Sequence, residues 1–278
     1  MAIGILPFIQ CENERRRTTP INFHAEEIRN TYATRQATGT WKTLINQIVE
    51  IQGRTVADIG CGGGIYAKAM ADMGAAHITC IDSSEVMLSD AQSTLKAHNN
   101  ISYIRGDALQ TTVDAQQFDI VLERALVHHL NREELAKNFA EALRILKPGG
   151  ILIIQDRTPE DCLLAGSQTN IRGYFFARYP RLAQQEIARR HDNATVMSAL
   201  HQTGFRVVEK RQLWETRQVH NNFAALEKDL KARTGRSILH ELNDDELNDL
   251  NEYIHRQLDG DNQAIVEQDR WTIWSAMR

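Results

Sequence analysis

A chain of 278 residues and 31.6 kDa is long enough for one full α/β domain with an added lobe and an ample core. Hydrophobic residues at 42% and charged residues at 24% make an ordinary soluble balance, and no run has the length needed to span a bilayer. A net charge of −4 with a pI of about 6.2 weighs against a nucleic-acid substrate, and four cysteines (Cys11, Cys61, Cys80 and Cys162) in neither paired nor metal-type spacing fit a reducing cytoplasm.

The apolar start, Met-Ala-Ile-Gly-Ile-Leu-Pro-Phe-Ile, lacks a basic leader and runs into Glu14-Arg15-Arg16-Arg17, which argues against a secretion signal. Phe23, Ile28 and Tyr32 predict a leading helical segment over Asn22 to Gln36. A better pattern, Trp41, Leu44, Ile45, Ile48 and Val49, predicts a helix over Thr40 to Ile51. A β-branched run from Thr55 then ends in Asp58 and turns through Gly60, Gly62 and Gly64 into a helix from near Ile65 to about Met73, closed by Gly74.

A second strand, His77 to Ile81, ends at Asp82, and Ser83 is placed to cap a helix that contains Val86, Met87 and Leu95 and stops near Asn99. A third strand, Ile101 to Arg105, leads into Gly106-Asp107-Ala108, and a fourth covers Phe118 to Leu122. Asn131 with Glu134 marks the start of a helix to about Leu146, and Lys147-Pro148-Gly149-Gly150 breaks it before a fifth strand, Ile151 to Gln155.

Arg157 to His191 is a long connection with helical stretches and six arginines, of a length that is often functional. Asn193 to Gln202 predicts the next helix and Phe205 to about Trp214 a strand. A second insertion, about His220 to Asp261, carries two helical patterns before a last strand over Trp271 to Met277. Strands alternating with helices imply a parallel sheet with right-handed crossovers, whose ligands bind beyond the carboxyl ends of the strands, where Asp58, Asp82, Asp107 and Glu123 all fall.

The glycine turn lets a ligand lie against the backbone, and the N–H groups at the helix start favour a negative group. A dinucleotide-binding turn shares that logic, but Ile65 stands where its third glycine belongs, and Asp58 would repel a pyrophosphate. Such a carboxylate suits a ligand that also carries positive charge.

Together, Ala57-Asp58-Ile59-Gly60-Cys61-Gly62-Gly63-Gly64, Ile81-Asp82-Ser83-Ser84, Gly106-Asp107-Ala108, Phe118-Asp119-Ile120-Val121 and Leu146-Lys147-Pro148-Gly149-Gly150 resemble the ordered motifs of class I S-adenosylmethionine (SAM)-dependent methyltransferases. The resemblance implies an α/β, Rossmann-like, seven-stranded mostly parallel sheet with helices on both faces, its last strand antiparallel and inserted beside the fifth. Residues 1–40 are then expected as an N-terminal helical lid segment and 41–278 as the methyltransferase domain, with helical insertions at about 157–192 and 220–261 forming a lid.

The resemblance also implies the cofactor contacts. Gly60, Cys61, Gly62 and Gly64, with Asp58 behind them, would lie against the methionine part of SAM, Asp82 with Ser83 would take the ribose hydroxyls, and Met87 would pack on the adenine. Gly106, Asp107 and Ala108 would meet the adenine edge, Glu123 and Arg124 would form the post-strand segment facing the methionine amino group, and Tyr32 would close over the cofactor.

Methyl transfer from a sulfonium needs the acceptor held close, aligned and dry, and needs a base only if the acceptor loses a proton. His128, of the pair His128-His129, is the candidate base, with a structural role for the pair as the alternative. Arg157 and Arg172 are candidates to hold an anionic small-molecule acceptor, against the plainer reading of a solvated helix face, and Tyr174, Phe175, Phe176 and Trp214 either line the acceptor pocket or form the lid's own core.

Neither an Asn-Pro-Pro-Tyr nor an Asp-Pro-Pro-Tyr run follows the fourth strand, no metal-ligand spacing is found, and no Gly-x-Ser-x-Gly elbow occurs. The leading expectation is a cytoplasmic SAM-dependent methyltransferase of a small molecule without a membrane partner. Methylation of a macromolecule such as rRNA or protein, and SAM binding without transfer, stay open as alternatives.

Overall fold

The computed structural model describes residues 36–233, 235–258 and 263–278. Tyr32 and nearly all of the expected helix over Asn22 to Gln36 lie outside them. The first described helix, α1 (Gly39–Ile48), starts at Thr38, whose hydroxyl accepts the Trp41 N–H at 3.2 Å and so satisfies a donor that the helix itself cannot. Trp41 and Ile45, one turn apart, are both buried.

From there strands and helices alternate: β1 (Thr55–Ile59), α2 (Ile65–Asp72), β2 (His77–Asp82), α3 (Glu85–Thr94), β3 (Ile101–Arg105), β4 (Phe118–Arg124), α4 (Arg132–Ile145) and β5 (Leu146–Asp156). After the first insertion come α8 (Asn193–Thr203), β6 (Arg206–His220) and, beyond the second insertion, β7 (Ile265–Met277). The sheet has the order β3-β2-β1-β4-β5-β7-β6, with β1 to β5 parallel and β7 antiparallel between β5 and β6. This is the seven-stranded, mostly parallel, Rossmann-like arrangement that the motifs implied.

Covered on both faces, β1 and β2 carry near-continuous buried runs instead of alternating ones. On one face Trp41 and Ile45 of α1, Met70 of α2 and Leu88 of α3 pack on Val56 and Ile78. On the other, Leu135 and Phe139 of α4 and Leu200 of α8 pack on Val121, Leu152 and Trp274.

Because β7 runs antiparallel to β5, its start lies at the carboxyl end of β5, as does the end of β6. Both insertions therefore leave the sheet at the same edge. The first holds α5 (Pro159–Cys162), α6 (Ile171–Arg178) and α7 (Pro180–Ala188), and the second α9 (Phe223–Lys231) and α10 (Asp244–Gln257). They share a core of their own, in which Phe175 and Leu182 meet Leu226, Leu250 and Ile254.

Several boundaries differ from expectation. Ser84, not Ser83, caps α3 by accepting the Met87 N–H, and α3 ends at Thr94. β4 continues to Arg124 because its pairing with β5 persists through Arg124 and Gln155. Lys147 to Gly150 form a bulged start of β5, whose register shifts between Phe118 and Ile120 on the partner strand. β6 extends to His220 and β7 starts at Ile265, since the two pair along their whole length.

Leu250 is fully buried where α10 meets α6. Leu250→Ala is expected to destabilise the protein by about 2–5 kcal/mol through lost burial and a residual cavity, read as a lower urea midpoint at unchanged m-value.

Candidate active site

The turn between β1 and α2 is held open by its own backbone. Gly62 and Gly64 adopt φ of +51° and +80°, a region that residues with a Cβ rarely occupy. A Cβ on Gly64 would stand 2.9 Å from Leu95 Cδ1 and 3.2 Å from the Ala91 backbone, whereas one on Gly62 would meet nothing within 4 Å. The turn is thus pressed onto α3 from behind and bare in front.

Asp82, at the tip of β2, ties this turn to α3. Its Oδ2 accepts the Gly62 N–H at 3.0 Å and its Oδ1 accepts the Ser84 N–H at 2.9 Å. Gly106 donates its N–H to the Asp82 carbonyl at 3.1 Å, which brings the Gly106-Asp107-Ala108 segment to the same rim. Asp107 is exposed and shapes its own loop by accepting the Leu109 N–H at 2.7 Å. Met87 is buried in the first turn of α3.

Two carboxyls sit buried beneath this rim without full compensation. Asp58 is 2% exposed, takes a hydrogen bond from the Ala67 backbone in α2, and leaves Oδ2 without a partner. Burial, reinforced by the nearby Asp82 charge, raises its pKa to about 7. Glu123 is fully buried, accepts Asn138 Nδ2 at 3.0 Å on Oε1, and leaves Oε2 unpartnered, and burial raises its pKa to about 8. Asn138 also donates to the Ala108 carbonyl at 3.2 Å, so Glu123 lies under the Gly106-to-Ala108 side of the rim.

The other predicted residues are placed by the strand ends around the rim. Cys61 packs into the core beside Cys80, with its N–H on the Ile81 carbonyl at 3.2 Å and its thiol donating to the Gly62 carbonyl at 3.6 Å. Glu123 and Arg124 are the last two residues of β4, and Ala125, with φ of +52°, makes the turn that follows. Alternation along the strand sends Glu123 toward α4 and Arg124 to the opposite face. Ser83 is exposed beside the cap that Ser84 provides.

Arg124 belongs to a network that the sequence did not reveal. Its guanidinium lies 4.1 Å from the Tyr66 ring and 4.3 Å from the Trp271 ring, and Nη2 donates to Glu215 at 2.9 Å. Glu215 also accepts from Tyr66 Oη at 2.6 Å and from Gln155, which in turn accepts the Trp41 indole N–H at 2.8 Å. Trp41 and Trp271 are ordinary apolar marks in the sequence, and only their indole and ring contacts set them apart.

His128 sits in a short 3-10 turn, Val127–His129, after β4. Its Nδ1 is 2.8 Å from Asp156 Oδ2 and its backbone N–H donates to the same oxygen at 3.2 Å. Burial alone would raise the Asp156 carboxyl, but the His128 ring and the Arg190 guanidinium facing it hold it well below the usual carboxylate range. An ionised Asp156 makes Nδ1 the donor and leaves the His128 lone pair on Nε2. Burial pushes the His128 pKa down despite Asp156, so the ring is neutral at pH 7.

The arginines of the first insertion divide. Arg178 and Arg181 reach α10, pairing with Asp249 and, at 2.7 Å, Glu246. Arg157 and Arg172 are neither on a solvated face nor loose, being buried against Asp269 and Glu186. Tyr174, Phe175 and Phe176 belong to the insertions' own core, and Trp214 is 41% exposed on β6. His220, Asp229 and Glu267 come together in a metal-like cluster, but the Arg236 guanidinium pairs with both acids and supplies the positive charge an ion would bring.

A bare glycine turn at the carboxyl edge of a parallel sheet, with acids on successive strand tips, is where Rossmann-like domains take their nucleoside ligands. Residues 56–150 match the family model described as a methyltransferase domain. Over 110 residues it is 36% identical to a ubiquinone biosynthesis O-methyltransferase from Coxiella burnetii, covering 39% of this chain and 45% of the relative. The matched stretches span about half the length of such curated relatives.

Among solved structures, a protein from Bacillus halodurans aligns with a TM-score of 0.56 at 21% identity over 86% of this chain and 99% of its own. A phosphoethanolamine N-methyltransferase from Haemonchus contortus, solved with S-adenosylhomocysteine (SAH), aligns with a TM-score of 0.53 at 19% identity over 87% of this chain and 54% of its own. These two likenesses establish the shared fold. Among the described residues no helix is long and apolar enough to cross a membrane.

Glu123 has a stability signature. With its pKa raised from 4.5 to about 8 in the folded protein, the native state holds a proton that the unfolded state gives up between those values. Its contribution is fully present below about pH 4.5 and is lost as pH rises to about 8. Glu123→Gln, which keeps the amide-like neutral form, is expected to flatten the fall in urea-unfolding free energy between pH 5 and pH 8.

Proposed function

We propose that the protein is a cytoplasmic SAM-dependent methyltransferase acting on a small-molecule acceptor, with the helical insertions forming a lid over the acceptor site. The observation that carries this reading is the buried Asp58 carboxyl, with one oxygen unpartnered, behind a glycine turn whose front is open. A pyrophosphate at this turn would meet uncompensated carboxyls, whereas a ligand with an ammonium and a sulfonium relieves them. The names of the curated relatives, O-methyltransferases of ubiquinone biosynthesis, support a small acceptor, and the free thiols of Cys61, Cys80 and Cys162 support a reducing compartment.

In this reading Asp58 and the Gly60-to-Gly64 turn hold the methionine end, and the oriented Asp82 carboxylate accepts the ribose hydroxyls. Asp107, the Ala108 N–H and Met87 hold the adenine. SAM, when bound, supplies a methyl group already activated on a sulfonium. The chain's task is to align an acceptor lone pair and keep water out. Where that acceptor is a hydroxyl, His128 Nε2 takes its proton while Asp156 holds the ring and stabilises the charge that forms.

Isothermal titration is expected to show SAH binding, weakened tenfold or more by Asp82→Ala because charge-assisted hydrogen bonds of about 1.5–3 kcal/mol are lost. No binding of SAH by the folded wild type would exclude the reading. Because the Asp58 pKa is about 7 before a cation arrives, binding near pH 6.5 is expected to release a proton, and SAH affinity to rise with pH up to about 7 and then level off. Titration in buffers of different ionisation enthalpy measures that release. If the product is an ether, His128→Ala should lower kcat about 10²- to 10⁴-fold with SAH affinity unchanged.

A further inference from the structure

Where β5 and β7 meet the first insertion, arginines and carboxylates are buried together. Asp156 accepts Arg190 Nη1 at 2.6 Å, and Glu186 of α7, fully buried, accepts Arg190 Nη2 at 2.5 Å and pairs with Arg189 and, at 3.5 Å, with Arg172 Nη1. Asp269 of β7 pairs with Arg157 Nη2 at 2.7 Å and with Arg172 Nε at 3.5 Å. His128, the remaining partner of Asp156, is neutral at pH 7. Among the described residues, three guanidiniums, Arg157, Arg172 and Arg190, thus face three carboxylates inside this cluster, with Arg189, 34% exposed, at its edge.

Charge is thus balanced inside the cluster, but hydrogen bonding is not. Arg157 Nε, Arg172 Nη1 and Arg190 Nε are all buried and none has a hydrogen-bond acceptor. The three side chains are 6%, 13% and 4% exposed, so all three guanidiniums lie mostly out of reach of bulk solvent. Burial, with Arg172 and Arg190 close by, pushes the Arg157 pKa down. Buried charged donors left unsatisfied are costly, and structures retain them where a ligand completes the set.

We propose that Arg157 and Arg172, backed by Arg190, bind a carboxylate or phosphate group of the methyl acceptor, so that the substrate of this enzyme is a small oxyanion. Guanidinium forks suit such a group because they pair charge with directed donors. The cluster is correctly placed for it. Arg157 directly follows Asp156, which orients His128, and its guanidinium lies 4.3 Å from the Trp271 ring, as does that of Arg124. The oxyanion would be gripped at the same sheet edge as the candidate base. This assignment rests on the methyltransferase reading for the identity of the ligand, but the anion site itself does not.

The test is a thermal-shift titration of the full chain, saturated with SAH, using sodium phosphate and sodium acetate, with sodium chloride at matched ionic strength as the control. Phosphate or acetate is expected to raise the melting temperature saturably where chloride does not, and whichever acts identifies the oxyanion class. Arg172→Gln should shift the titration midpoint upward by about tenfold or more, while leaving SAH affinity, measured separately, within about twofold. Should Arg172→Gln fail to fold, Arg172→Lys keeps the charge without the fork and is expected to shift the midpoint by a smaller but measurable factor.

Equal melting in all three salts, or a foldable Arg172 variant that responds like the wild type, would overturn the proposal. A wild type that responds to phosphate or acetate but does not bind SAH would retain the anion site and overturn the methyltransferase reading.

Discussion

The Asp82 carboxylate holds two backbone amides at once, Gly62 at 3.0 Å and Ser84 at 2.9 Å. Through them the glycine turn after β1, the tip of β2 and the first turn of α3 become one rigid rim, and the Gly106 N–H bonded to the Asp82 carbonyl adds the tip of β3. None of these segments could hold the others by apolar contact alone, because the front of the turn has to stay bare for a ligand. A carboxylate does the work with directed, charge-assisted bonds that need no bulk. Remove it and the turn keeps its shape on the α3 side, where Leu95 and Ala91 support it, but loses its registration with the strand tips.

The carboxyl edge of the sheet is divided by charge. Beneath the rim lie buried acids without full partners, Asp58 and Glu123, and beyond β5 lie buried arginines in the same condition. The alternation of β4 draws that boundary, with Glu123 turned toward α4 and its neighbour Arg124 turned toward Tyr66 and Trp271. A cationic cofactor on one side and an anionic acceptor on the other would each relieve what the folded chain leaves unsatisfied.

The parallel half of the fold was legible because its physics is local. Asp58 at a strand mouth, three glycines in a turn and Asn131 with Glu134 at a helix start are all read within a few residues, and Asn131 and Glu134 close a full capping box. The antiparallel edge was harder to read. Glu267 and Asp269 point inward on β7 and are buried against arginines from both insertions, so the stretch before Trp271 shows no apolar alternation and its strand went unseen. A related reason hid the surroundings of the first insertion's arginines: Asp269 lies far in sequence from Arg157 and Arg172, as Asp156 does from Arg190. Cys61 shows a third limit, since a motif position fixes the backbone's place but not the direction of a side chain.

The central claim is that strand tips far apart in sequence form one cradle for a sulfonium nucleoside. Hydrogen–deuterium exchange of the whole chain with and without SAH tests it most directly. Peptides covering residues 58–66, 82–88 and 106–110 are predicted to gain protection together, over the same SAH concentration range. Protection confined to one of these stretches, or found only at the edge strands β6 and β7, would contradict the account.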